Sequence, residues 1–245
     1  MVFILENFRT LYMDIQLSGL VVITGNYGSG KTEIAINLAA YRKIQGIDVR
    51  VADLDLVNPY FRTREARKQL AEIGIEVVLP PEQYMHADLP ILTRTVSGLI
   101  RNPSALTILD VGGNDVGAAV LAALEDAFKT VSCKMLQVVN PFRPLTQTIE
   151  GAIDMRHSIE KTSRLKVTGL IGNANLIDES TLETILSGYD FIRKLSEKTG
   201  APLEFITVPS HLLAELDIEQ FSCPVLPIKR QLVPPWKKLT RLTAP

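Results

Sequence analysis

Two cysteines in 245 residues, Cys133 and Cys223, supply neither a disulfide framework nor a zinc motif, and both are read as buried or idle thiols. No run of about 18 apolar residues occurs, so no membrane span is expected. The stretch from Met1 to Arg9 meets charge too early for a secretory signal, which makes the cytoplasm the expected compartment. Charge of one sign is also missing. Lys+Arg number 26 and Asp+Glu 27, a net charge of −1, so the basic field that non-specific nucleic-acid binding needs is absent and no nucleic-acid partner is expected. Histidine is scarce, and His86 and His211, isolated in the chain, are read as surface or packing residues. Trp236 is the only tryptophan.

What is present is the composition of a globular protein, 46% hydrophobic and 22% charged. The length fits one large α/β domain or one domain with a small appendage. Short apolar strands alternate with helical patterns, which implies a parallel sheet covered on both faces. Expected strands are Leu20–Thr24, Asp48–Asp53, Leu106–Asp110, Met135–Val139, Leu165–Ile171 and, as the last core strand, Leu203–Val208. Helices are expected after Thr32, over Phe61–Glu72, over Val116–Phe128 and after Ser180, where Ser180 and Glu183 read as a capping box and Gly200 as the stop. Gly74–Pro90, with Pro80-Pro81 and His86 to Pro90, reads as a loop over one end of the sheet. Residues 1–221 are taken as the main domain, and 222–245 as a proline-rich arm packed on it.

Gly25-Asn26-Tyr27-Gly28-Ser29-Gly30-Lys31-Thr32 fits G-x-x-x-x-G-K-[ST] without mismatch. Strand Leu20–Thr24 precedes it, and Ile34, Leu38 and Tyr41 follow at helical spacing, which is the context the motif requires. The glycines open backbone angles closed to other residues, and consecutive N–H groups at the helix N-terminus form an anion nest. Lys31 is expected on the β- and γ-phosphates of a nucleoside triphosphate, and Thr32 on Mg²⁺. These residues define a three-layer P-loop NTPase fold.

Two acidic strand ends accompany the loop. Asp53-Leu54-Asp55 ends one strand, where a carboxylate can order the Mg²⁺ shell or hold and deprotonate an attacking water; Asp53 is the first choice and Asp55 the second. Asp110-Val111-Gly112-Gly113 ends another. Asp110 matches a Walker B aspartate on Mg²⁺, and Gly113 can bring its N–H to the γ-phosphate.

Together these motifs resemble the SIMIBI branch of P-loop proteins, in particular the MinD/ParA/CobQ/CobB nucleotide-binding families. The resemblance runs in outline from Leu20 to His211. It implies that Asn173, after the strand Gly169–Gly172, contacts the base, and that Pro209 borders it. It also implies a homodimer, although the signature lysine of MinD- and ParA-like proteins is replaced here by Asn26. Arg62 or Arg64 can supply positive charge to the γ-phosphate instead, or simply be surface arginines. Asn175-Leu176-Ile177-Asp178 overlaps the guanine-binding Asn-Lys-x-Asp pattern without its lysine; Asp178 is read as capping the next helix, which makes ATP the first choice over GTP.

The expectation is therefore a Mg²⁺-dependent, ATP-binding ATPase acting as a switch or metallochaperone-like accessory protein on a client that the sequence does not identify. The alternatives are a metabolite kinase or ligase of the CobB or dethiobiotin-synthetase type, whose small-molecule pocket the Gly74–Arg101 region, with Arg94 and Arg101, would form, and a GTPase.

Overall fold

A computed structural model describes residues 15–55, 62–79 and 93–232. Eight strands occur within them: β1 Gly19–Gly25, β2 Val49–Leu54, β3 Glu76–Val78, β4 Leu106–Val111, β5 Cys133–Val139, β6 Gly169–Gly172, β7 Leu203–Pro209 and β8 Val225–Ile228. The helices are α1 Lys31–Ile44, α2 Arg67–Glu72, α3 Thr93–Arg101, α4 Asn114–Ala122, α5 Glu125–Phe128, α6 Ile149–Ser163 and α7 Leu182–Thr199. The strands form one sheet in the order β3-β2-β4-β1-β5-β6-β7-β8. Every pairing is parallel.

Strand β1 is apolar on both sides because both its faces are covered. Val21 and Ile23 pack with Ile34, Ala35 and Leu38 of α1. Leu20 and Val22 point the other way, toward Ala118 and Leu121 of α4 and Met155 and Ile159 of α6. Each fully buried aliphatic side chain stabilises the fold by about 1.5–3 kcal/mol relative to exposure. The expected α/β sheet between two helical layers is the observed architecture. Early strands wind toward β3 and later ones toward β8, so the sheet reverses its winding around β1. The carboxyl edge at such a reversal is where ligands of open α/β sheets bind.

Several elements differ from expectation. Helix α6 escaped the pattern because its buried stripe is thin (Ala152, Met155, Ile159) and Gly151 interrupts its first turn; Thr148 caps it by accepting from the Gly151 N–H. Helix α7 starts one residue later than expected. Thr181 and Thr184 form its capping box, while the Ser180 hydroxyl accepts from Leu176 N–H and donates to the Ile177 carbonyl. The Val116–Phe128 helix is broken into α4 and α5. The 222–245 arm begins with sheet: β8 is a buried strand beside β7, and its Pro227 is tolerated because β8 lies at the edge. Residues 233–245, including Trp236, lie outside the described residues, as do His86, the Pro80-Pro81 turn and residues 56–61. Among the described residues, no helix is long and apolar enough to cross a membrane.

Candidate functional site

The carboxyl edge of the sheet holds a cavity of about 440 Å³. Tyr27, Gly28, Gly30, Lys31 and Thr32 line one side of it, and Asn140, Asn173, Asn175, Asp178, Pro209 and His211 the other. The glycine loop wraps its inner end. Gly30 sits at φ 93°, and a Cβ there would fall 2.2 Å from Asn173 Nδ2, so both the turn and its neighbour require glycine. Lys31 is buried, with Nζ donating to the Asn26 carbonyl at 2.8 Å. Burial pulls its ammonium below the usual value, and Asp110 and Asp55 act against that shift.

Parallel register places Asp53 opposite Asp110 on neighbouring strands. Burial, then the charge of Asp53, pushes the Asp110 carboxyl up to about 7, against the Thr63 and Thr32 hydroxyls and Lys31. Asp110 Oδ2 accepts from Thr63 Oγ1 at 2.8 Å, while Oδ1 is buried without a hydrogen-bond partner among the described residues. An orphaned, fully buried carboxylate oxygen beside the loop threonine suits a hard cation that carries its own waters. The two oxygens of Asp53 are engaged differently. Arg64 donates from Nε to Oδ2 at 2.8 Å, from Nη2 to Oδ1 at 3.1 Å and from its backbone N–H to Oδ2 at 2.9 Å. Asp55, and not Asp53, lines the cavity.

Gly113 abuts the phosphate loop. A Cβ on it would lie 2.8 Å from Tyr27 Cα, and the next residue, Asn114, accepts the Tyr27 N–H at 2.9 Å. Asn173 lines the cavity, but its amide is occupied: Nδ2 donates to the Ser29 carbonyl at 2.6 Å, and Oδ1 accepts from Thr207. Asp178 does not cap α7. It sits in the turn Ile177–Glu179 on the cavity wall, 3.4 Å from Arg230 Nη1. The other expected arginine, Arg62, has a buried Nε without a partner among the described residues, and Arg94 and Arg101 are exposed on α3 and do not line the cavity.

Several contributors went unread in the sequence. Asn140 and Arg143 lie in the loop after β5, where only strand-end placement pointed to them. Thr63 holds Asp110. Glu33 accepts from Gln231 N at 2.8 Å and Leu232 N at 2.7 Å, while Asn37 exchanges hydrogen bonds with the backbone of Lys229. These contacts lay residues 229–232 along α1 and bring Arg230 and Leu232 to the cavity wall. Burial pushes the Cys223 thiol up to about 12 and raises that of Cys133, which leaves both as neutral packing groups near neutral pH.

The phosphate loop and the parallel sheet between helical layers define an α/β fold of the P-loop NTPase type. No protein-family model and no curated protein matches the chain. Solved structures do. The cell division protein FtsY from Thermotoga maritima aligns with a TM-score of 0.55 at 20% identity, over 84% of this chain and 68% of that one. The signal recognition particle receptor FtsY from Elizabethkingia anophelis, in complex with GDP, gives 0.54 at 18% identity, over 80% and 59%. The signal recognition particle 54 kDa protein from Aeropyrum pernix K1, in complex with GDP, gives 0.52 at 18%, over 79% and 42%. The chain thus spans 42% to 68% of the length of these three proteins. At 20% identity or less the likeness shows the fold, which these signal-recognition proteins share, and it gives no support to the MinD/ParA assignment.

Proposed function

We propose that this chain is a Mg²⁺-dependent nucleotide switch that binds and hydrolyses GTP in preference to ATP. The observation that carries the reading is the convergence of Lys31 and Thr32 on one glycine-loop cavity, with the buried Asp110 carboxylate directly beside both. Lys31 and the amides of Gly25 to Thr32, including Asn26, Tyr27 and Ser29, hold the triphosphate. Thr32 and, through water, Asp110 hold Mg²⁺, which when bound neutralises charge on the β- and γ-phosphates. Asp55, which lines the cavity, orients the attacking water, and Asp53 anchors the turn Thr63–Ala66 through Arg64. Gly113 reports the γ-phosphate. Asn173 braces the loop beneath the nucleotide, and Pro209 borders the base.

Guanine replaces the adenine of the initial expectation for two reasons. Asp178 lies on the cavity wall, and a carboxylate can accept from guanine N1–H and N2–H₂, whereas adenine presents an acceptor at N1. Two of the similar structures are complexes with GDP. The state of the nucleotide passes outward through Thr63–Ala66, which touches Asp110, and Gly112–Asp115, which touches Tyr27. A second copy of the chain or a client protein reads those segments.

Calorimetric titration with non-hydrolysable GTP and ATP analogues, with and without Mg²⁺, tests the reading. Mg²⁺-dependent binding with GTP at least tenfold tighter supports it, and Lys31→Ala then loses about 100-fold or more in affinity while keeping its melting temperature. Tighter ATP binding removes the base assignment, and unchanged affinity in Lys31→Ala removes the site.

A further inference from the structure

Arg143 is the cation at the cavity that no described residue neutralises. It lies in the loop from Asn140 to Thr148, between β5 and α6, and lines the cavity together with the glycine loop. Its guanidinium lies against Gly28: a Cβ on that glycine would be 3.7 Å from Arg143 Nε and 3.9 Å from Cζ. Nε is buried and makes no hydrogen bond, and among the described residues no carboxylate pairs with this side chain. The other cavity cations differ: Arg230 faces Asp178, and Lys31 has Asp110 and Asp55 beside it. A buried, charged donor without an acceptor is costly unless an anion completes it.

The loop that carries Arg143 is held in place by its own chemistry. Asn26 Nδ2 donates to the Pro144 carbonyl, tying the loop to the glycine turn. Thr146 Oγ1 donates to the Asn140 carbonyl at 2.7 Å, and Asn140 Oδ1 accepts from Phe142 N at 3.0 Å. Asn140 Nδ2 in turn donates to the Asn175 carbonyl at 2.9 Å. Asn26 therefore acts as a tether that aims a cation from elsewhere in the same chain.

We infer that Arg143 is an intrachain counter-charge for the phosphate oxygen that leaves during hydrolysis; this rests on the proposed nucleotide site. Glycine-loop amides wrap the β-phosphate, and Gly28 lies in the middle of that loop. Water attacks the γ-phosphorus, and the bond from that phosphorus to the β–γ bridging oxygen breaks. The electron pair stays on the bridging oxygen, giving the nucleoside diphosphate, inorganic phosphate and one released proton. Charge builds on the bridging oxygen as the bond breaks, and Lys31 and Arg143, which both line the cavity at the glycine loop, meet that charge. Stabilisation that grows toward the transition state raises turnover and leaves ground-state affinity little changed.

The test compares wild type, Arg143→Ala and Arg143→Lys by three readouts: affinity for the non-hydrolysable triphosphate analogue that wild type prefers, single-turnover hydrolysis, and trapping of the diphosphate with aluminium fluoride. The expected result is analogue affinity within threefold of wild type, hydrolysis slowed about 100-fold or more and trapping lost in Arg143→Ala, with part of the rate restored in Arg143→Lys. Equal hydrolysis in wild type and Arg143→Ala overturns the inference and leaves the nucleotide site standing. So does loss of analogue affinity in proportion to rate, which would make Arg143 a ground-state contact. A wild-type protein that binds neither analogue overturns the nucleotide site and this inference together. Because the side chain is only partly buried and makes no ion pair among the described residues, Arg143→Ala is expected to melt with wild type, and Arg143→Lys carries the comparison if it does not.

Discussion

Arg64 holds both carboxylate oxygens of Asp53, with Nε 2.8 Å from Oδ2 and Nη2 3.1 Å from Oδ1. The Asp53 side chain is fully buried and stands in register with Asp110 on the next strand. Two neighbouring buried carboxylates repel, and the fork of Arg64 offsets that repulsion from one side.

Removing the fork leaves the Asp53 charge uncompensated in the core. Arg64→Ala is expected to lose about 3–5 kcal/mol of unfolding free energy, the range seen when one partner of a buried pair is deleted. Urea unfolding measures it. Asp53→Asn in the Arg64→Ala background should recover part of the loss, because the second change removes the stranded charge; a purely additive pair would show that the two side chains do not couple.

The two aspartates of the same strand end separate by function. Asp55 lines the cavity, which places that residue, and not Asp53, within reach of a water near the γ-phosphate. Asp55→Asn should bind the triphosphate analogue as wild type does and hydrolyse it about 100-fold more slowly. Asp53→Asn should instead show lowered stability as its first effect. Wild-type turnover in Asp55→Asn would return the water-orienting role to Asp53 or to another group.

How far the sequence reveals this arrangement follows from the range of each interaction. Phosphate-loop chemistry is contained in eight consecutive residues, Gly25 to Thr32, so it reads directly. The core strands read because burial on both faces demands unbroken apolar runs. Strand β8 does not, since its Pro227 resembles a tail until an edge position is known. The start of α7 was displaced by one residue because Ser180 and Thr181 both carry hydroxyls, and only tertiary placement decides which of them caps. Roles assigned across the chain were harder still. Arg64 reads as a surface or phosphate-facing arginine until the turn Thr63–Ala66 is seen to set it against Asp53. Arg143 meets Gly28, and Glu33 meets Leu232, only when the sheet has formed.

Glu33 gives a pH-dependent readout of that last contact. Burial pushes its carboxyl from the ordinary 4.5 up to about 7, against hydrogen bonds from Leu232 and Gln231 and the charge of Arg230. Between about 4.5 and 7 the folded protein keeps a proton that the unfolded chain has released, so unfolding free energy falls as pH rises through that window. The contribution is whole below 4.5 and lost above about 7, with an upper bound of about 3 kcal/mol. Asp110 titrates over an overlapping range, so wild type carries both slopes. Glu33→Gln should lose less stability than wild type between pH 5 and pH 8 in urea titrations, and an identical loss would assign the slope to Asp110 alone.

Gly113 sits where the Walker B strand end meets the phosphate loop. A Cβ on it would lie 2.8 Å from Tyr27 Cα and 2.9 Å from Tyr27 N, both backbone atoms of a loop that cannot yield without losing its shape. The same loop position is tied to Asn114 through the Tyr27 N–H. Gly113→Ala therefore forces the two loops apart and disturbs the nest of amides, while the sheet below, built on the buried Leu20 to Ile23 strand, keeps its packing. The expected outcome is a melting temperature within a few degrees of wild type and triphosphate-analogue affinity weakened at least tenfold. Asn114→Ala removes only the tie and adds no steric conflict, so it should weaken binding far less. Equal losses in the two variants would mean that the hydrogen bond from Tyr27, and not the close approach of the glycine, sets the geometry of the phosphate loop.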